Sequence, residues 1–143
     1  MVKFTDFTMK ENEISVQTEQ YFSKEIEFFK KNFDIACEIY DWFYKKHDKP
    51  ENPIPKKLFP LSVMIPRLLF TLKAIYNLTT IGYYYDAHLL FRTFIENLGL
   101  CIYLTKNENH VTKWLQGKKM DVPYIELFRE TFSVISGDLN KKN

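Results

Sequence analysis

Residues 22–43 read FSKEIEFFKKNFDIACEIYDWF. Within them Phe22, Ile26, Phe29, Phe33, Ala36, Tyr40 and Phe43 recur at alternating steps of four and three. An α-helix turns about 100° per residue, so those steps hold all seven on one face for three heptads. Phe28, Ile35, Ile39 and Trp42 widen the stripe beyond a narrow coiled-coil seam. A stripe this wide suits a helix packed against at least two neighbours, and its aromatics read as core. Thr8 and Glu11 have capping-box spacing. The first helix is therefore predicted to begin between Thr8 and Thr18 and to end near His47.

Outward from that helix, residues 49–60 carry Pro50, Pro53, Pro55 and Pro60. Proline lacks an amide hydrogen and clashes with the preceding turn, so this stretch reads as an extended connector. A second helix follows over 61–80, with Leu68, Leu69, Leu72, Ile75, Tyr76 and Thr79 at helical spacing. Pro66 within it predicts a start near Ile65 or a kink. Gly82 offers a stop and a tight turn, and a third helix spans 83–104. The short connection makes the second and third helices antiparallel neighbours. A short fourth helix is predicted over 108–116, capped by Asn107 and stopped by Gly117. Asp121 caps a fifth, with Pro123 in its first turn, running to Ser136 before Gly137; residues 138–143 read as a frayed tail. The fold class is thus all-α: an antiparallel helical bundle of about five helices, two or three of them long.

Bulk properties agree with one domain over residues 1–143. The chain has 143 residues, enough to bury a core without staples. Apolar residues make up 45% and charged residues 27%, a globular rather than disordered balance. Four Gly and six Pro are few breakers, which favours long helices. A net charge of +2 lacks the basic excess of a dedicated nucleic-acid binder. Cys37 and Cys101 lie far apart in apolar stretches and read as buried, reduced thiols, which fits the cytoplasm. Residues 1–10 contain no signal-peptide core. Two apolar stretches, 58–81 and 89–104, are interrupted by Arg67 and Lys73 and by Arg92 and Glu96. Charges at mid-segment are expensive in lipid, so both read as buried helices and no membrane is expected.

The third helix holds most of the candidate chemistry. Tyr85, His88, Arg92, Glu96, Gly99 and Tyr103 fall within one strip, and Asp86, Thr93 and Asn97 in another; the rest is apolar. A helix greasy on most sides is central, so Arg92 and Glu96 are expected to be partly buried. As scaffold, the pair would fix helix register. As a site, the Arg92 fork would clamp a phosphate or carboxylate, with His88 and Tyr85 as nearby donors. Tyr83, Tyr84 and Tyr85 point to three sides of the helix, and at least one is expected at an interface.

Residues 78–103, LTTIGYYYDAHLLFRTFIENLGLCIY, resemble the core of a prokaryotic family of uncharacterised helical proteins. That core has a glycine turn, an alanine four or five residues on, then an L-x-R-x-x-x-E helix followed by apolar residues and Tyr. Gly82, Ala87, Leu90, Arg92, Glu96 and Tyr103 are the matching residues, and the resemblance covers about a fifth of the 143 residues. The family is in turn distantly similar to the HEPN superfamily of helical bundles, many of them toxins or defence-linked ribonucleases. The resemblance implies Arg92 at a scissile phosphate, with His88 or His110 in acid–base work. The chain departs from the HEPN pattern. Thr93 follows Arg92, Asn97 stands where a histidine would, and the next histidine, His110, belongs to another helix. Relatives of the uncharacterised family continue into a Ser/His-containing segment, whereas this sequence stops soon after Gly137, which fits a piece of a longer protein. Absence of a catalytic histidine is the simplest account.

Other motifs are missing. The glycines are isolated, so no phosphate loop forms. His47, His88 and His110 have unrelated spacings, and no metal site or cofactor is expected. Basic runs at Lys45, Lys46 and Lys49, at Lys56 and Lys57, and around Trp114 at Lys113, Lys118 and Lys119 read as solvated faces. The expectation is a non-catalytic helical interaction domain, self-associating as a dimer or binding another protein, with a link to defence or toxin–antitoxin systems. The alternative is a HEPN-like, metal-independent ribonuclease or its degenerate relative, with RNA as partner and Arg92, His88, Glu96 and His110 as candidate residues.

Overall fold

The computed structural model describes residues 3–47 and 49–118. Five α-helices account for most of them, and no strand occurs among the described residues. They are α1 (Phe4–Tyr21), α2 (Ser23–His47), α3 (Phe59–Thr80), α4 (Tyr84–Lys106) and α5 (Glu108–Leu115), with a single 3-10 turn at Lys56–Leu58. The architecture is the expected all-α bundle. The predicted fifth helix at 121–136 and its tail lie outside the described residues.

The long first helix expected from the 22–43 stripe is two helices. It bends at Phe22, with φ −118° and ψ 30°. Hydrogen bonds of α-helical span flank the bend, from Phe22 N to Thr18 O at 2.9 Å and from Ile26 N to Phe22 O at 2.9 Å. Neither Gly nor Pro marks the place, so the sequence carries no breaker there. Contacts made elsewhere accompany the bend: α1 reaches the turn between α3 and α4, where Ile14 lies against Gly82 and Glu11 meets Tyr83.

The connector is shorter than its prolines suggested. Pro60 is buried within the first turn of α3. A helix leaves its first amides unpaired, so proline there loses nothing. Pro66 sits inside α3 without ending it. The loop before α3 is tied to α2: the Asn52 side-chain amide donates to Lys46 O at 2.6 Å, supplying a partner to a carbonyl in the last turn of the helix.

Of the predicted glycine stops, those at Gly82 and Gly117 are present, and Gly137 lies outside the described residues. Gly82 has φ +91° and Gly117 φ +64°. At each, two crossing backbone bonds close the helix end, Tyr83 N to Leu78 O and Gly82 N to Thr79 O, then Lys118 N to Lys113 O and Gly117 N to Trp114 O. Asn107 caps α5 by accepting a bond from Asn109 N at 2.9 Å.

The core is not where the aromatic stripe placed it. Met64, Cys101, Leu104 and Val111 form it, flanked by Leu61, Leu100, Tyr103 and Trp114. It therefore belongs to α3, α4 and α5. Of the α2 stripe only Phe43 is buried; Ile26, Phe29, Phe33, Ala36 and Tyr40 are half-buried and Phe22 is exposed. Phe29 stacks on Tyr76 of α3 with ring centroids 4.9 Å apart. Residues 56–80 form the one segment, among those described, long and apolar enough to cross a membrane; its most apolar window of 18 residues has mean hydropathy 1.6. Only 17% of that window is buried, so α3 is less enclosed than the sequence reading expected.

Leu104 is fully buried. Removing its isobutyl group leaves a cavity, so Leu104→Ala should cost about 2–5 kcal/mol in urea unfolding. Phe4→Ala, at a position 85% exposed, should shift stability by no more than about 0.5 kcal/mol in the same measurement.

Candidate functional site

The strip expected on the third predicted helix exists on α4, but its first half, Tyr85, His88 and Arg92, faces solvent, while Glu96 and Tyr103 are half-buried and Gly99 is buried. Arg92 Nε donates to Glu96 Oε1 at 2.9 Å, and their side chains are 73% and 26% exposed. The expectation of a partly buried arginine is thus corrected, while Glu96 is half-buried. Ala87, Cys101 and Leu104 turn α4 toward the core on the side away from Arg92, and burial reaches the arginine's own strip only farther along, at Gly99. His88 is exposed one turn before it. Thr93 and Asn97 bond back to carbonyls of their own helix, at Leu89 O and Thr93 O. The Arg92–Glu96 pair is an exposed i,i+4 pair, which contributes little stability and encloses no ligand.

His110 is elsewhere. Its ring stacks on Tyr103 with centroids 4.1 Å apart, and the Tyr103 hydroxyl lies 3.2 Å from Nε2. The half-buried pair closes the corner where α5 folds back beside Leu104 and Val111. Tyr103 follows Arg92 by three helical turns, about 16 Å along the axis. One chain therefore does not bring Arg92 and His110 to a common phosphate. Of the four candidates, His88, Arg92 and Glu96 share one open face and His110 stands apart.

The three tyrosines do point in different directions. Tyr83 donates its hydroxyl hydrogen to Glu11 Oε1 at 2.6 Å. That bond, and then the carboxylate charge, raise the Tyr83 pKa above its ordinary 10.0. Tyr84 edges a cleft of about 480 Å³ lined chiefly by Phe22, Ile26, Phe29, Ile75 and Tyr76. Tyr85 is 76% exposed. A second cleft, of about 420 Å³, runs between α2 and α3 past Phe33, Cys37, Tyr40, Pro66 and Phe70. Both clefts are mainly apolar, and neither is lined by Arg92 or a histidine.

No group of three or more His, Cys, Asp or Glu positioned for a metal occurs among the described residues. Cys37 is half-buried and Cys101 buried, both free. Burial pushes the Cys101 thiol up to about 11. Trp114 packs on the core, so among the basic residues around it the described ones, Lys113 and Lys118, surround a structural aromatic. The sequence reading placed Phe28, Ile35, Ile39 and Trp42 in the interior; all four are exposed. Their offset of roughly a third of a turn from the main stripe was the signal that they face a different neighbour.

Comparison with known proteins places this geometry. The family model DUF5677, described as a family of unknown function, matches residues 58–131. That is just over half of the 143 residues, and the chain belongs to this family. The matched residues take in α3, α4 and α5 and leave out α1 and α2. No curated protein matches. No solved structure matches.

Two outcomes follow from the site chemistry. At pH 8, iodoacetamide should label Cys37 in the folded protein and spare Cys101, which becomes reactive only on unfolding; peptide masses read this out. The Tyr83 pKa is raised in the folded state, so the tie to Glu11 contributes below pH 10 and is lost as pH climbs through the folded value. Thermal melts of wild type should fall faster above pH 10 than those of Tyr83→Phe.

Proposed function

We propose that this chain is a non-catalytic helical interaction domain that works by self-association, most simply as a dimer in the cytoplasm. One observation carries the reading. Among the described residues twenty large apolar side chains are exposed, from Phe4 to Leu115, against seven apolar side chains that are buried. Scattered exposed apolar residues are ordinary, but contiguous runs of them mark association surfaces. Here they run along α1 and α2, beside two apolar clefts.

The geometry supports binding over catalysis. Arg92 is spent on Glu96 at the surface, and His110 is spent on Tyr103 at a corner. A general acid or base must reach the proton it moves, and an enclosing site must exclude water. Neither condition is met around Arg92. Pro66, Arg67 and Lys73 within α3, and its packing along α4, support a place for that helix in the bundle rather than in lipid.

Sedimentation at micromolar concentrations should give twice the 17.2 kDa of one chain. A strict monomer at every concentration, with no partner, would sink the reading. Incubation of RNA with wild type in EDTA should leave it intact, as should Arg92→Ala. Cleavage by wild type that Arg92→Ala abolishes would instead establish the ribonuclease.

A further inference from the structure

The α2 helix has two apolar faces. The inward one packs Phe29 against Tyr76 and closes on Phe43. The outward one carries Phe28, Ile35, Ile39 and Trp42, exposed by 71%, 44%, 59% and 61%. Phe28, Ile35 and Trp42 recur at sevens, which returns each to within about 20° of the last. Ile39 follows Ile35 by four, on the same side. Lys46 extends over the Trp42 ring, with Nζ 4.9 Å from its centroid, and ends the stripe with a charge. The apolar spacing calls for a neighbour on each face, and among the described residues α3 packs on the inward one while the four outward side chains stay exposed.

We propose that the second neighbour is α2 of another copy of this chain, docked antiparallel about a two-fold axis through Ile35. This rests on the self-association reading and assigns its surface. Phe28 and Trp42 lie symmetrically about Ile35: a two-fold there sets Ile35 on the partner's Ile35 and Phe28 against the partner's Trp42, with Ile39 beside the seam. Such an interface is isologous, each copy offering the same patch. At each end of the stripe the same two-fold sets exposed Lys24 near the partner's Lys46, a like-charge contact that the long side chains relieve by turning to solvent, whereas the charges along one flank are complementary. On that flank Lys31 falls beside the partner's Glu38, and Glu27 beside the partner's Lys45. All four of these residues are exposed, and Lys45 also pairs with Asp41 of its own helix at 3.3 Å, an exposed contact it can exchange or share.

The area suffices. The exposed parts of the four side chains amount to roughly 500 Å² per copy, or about 1,000 Å² across the pair. That meets the lower bound for a specific interface. The centre is aromatic and aliphatic and the rim is charged, as interfaces are built.

The test uses the full chain with charge reversal on the axis. Ile35→Glu sets two carboxylates face to face, so self-association should weaken by about 100-fold or more, with helical content unchanged because Ile35 is exposed. Ile35→Lys should behave alike, and mixing the two variants should restore a heterodimer. That rescue separates the interface from any effect on folding. Orientation is read by mixing Phe28→Cys with Trp42→Cys in a Cys37→Ser background: the mixture should cross-link on mild oxidation, and each alone should not. If wild type dimerises but Ile35→Glu dimerises equally well, this surface is wrong while self-association stands. If wild type is a monomer whose stripe is covered by its own residues 119–143, both fail. Cross-linking of Phe28→Cys alone would overturn the antiparallel arrangement.

Discussion

The structure depends on the hairpin of α3 and α4 turning back at Gly82. A left-handed backbone at that residue lets two crossing hydrogen bonds close the end of α3 while the chain reverses. A side chain would be strained at φ +91° and would press on Ile14, 3.2 Å from the position of an added Cβ. Reversal lays Met64 against Cys101 and Leu104, and α5 then folds Val111 onto the same cluster. These elements fall within the residues matched by the family.

Against that core, α1 and α2 behave as an arm. They meet it through a few specific points: the Phe29–Tyr76 stack, the hydrogen bond from Tyr83 to Glu11, and Ile14 over the glycine turn. None of the α1 residues is buried, and only Phe43 of α2 is. Among the described residues, the apolar area left exposed on α1 and α2 contributes nothing to stability. The same exposure explains why the strongest periodicity in the sequence is not the centre of the fold. Periodicity reports which residues share a face. Whether that face meets this chain or another is a separate matter.

The arginine strip of α4 shows the limit of helical-wheel reasoning. Arg92, Glu96 and His88 do share a strip, as spacing required. Spacing also suggested burial, because apolar residues surround the strip. Yet Leu89 and Phe91 beside it are themselves exposed, so apolar neighbours did not make a core. His110 was one helix away in sequence and is about three turns away in space, held by a tyrosine that the wheel had placed in line with Arg92.

The all-α class, the two glycine stops, the Asn107 cap and the antiparallel α3–α4 pair were legible in the sequence. Each depends on local chemistry: helical spacing, a left-handed residue only glycine tolerates, a side chain that satisfies a free amide. The bend at Phe22, the helical placement of Pro60, the exposure of Arg92 and the partition of α2 into an inward and an outward face were decided by the tertiary structure. Those depend on which surfaces meet across residues distant in the chain, and no local pattern encodes how a stripe is shared among neighbours.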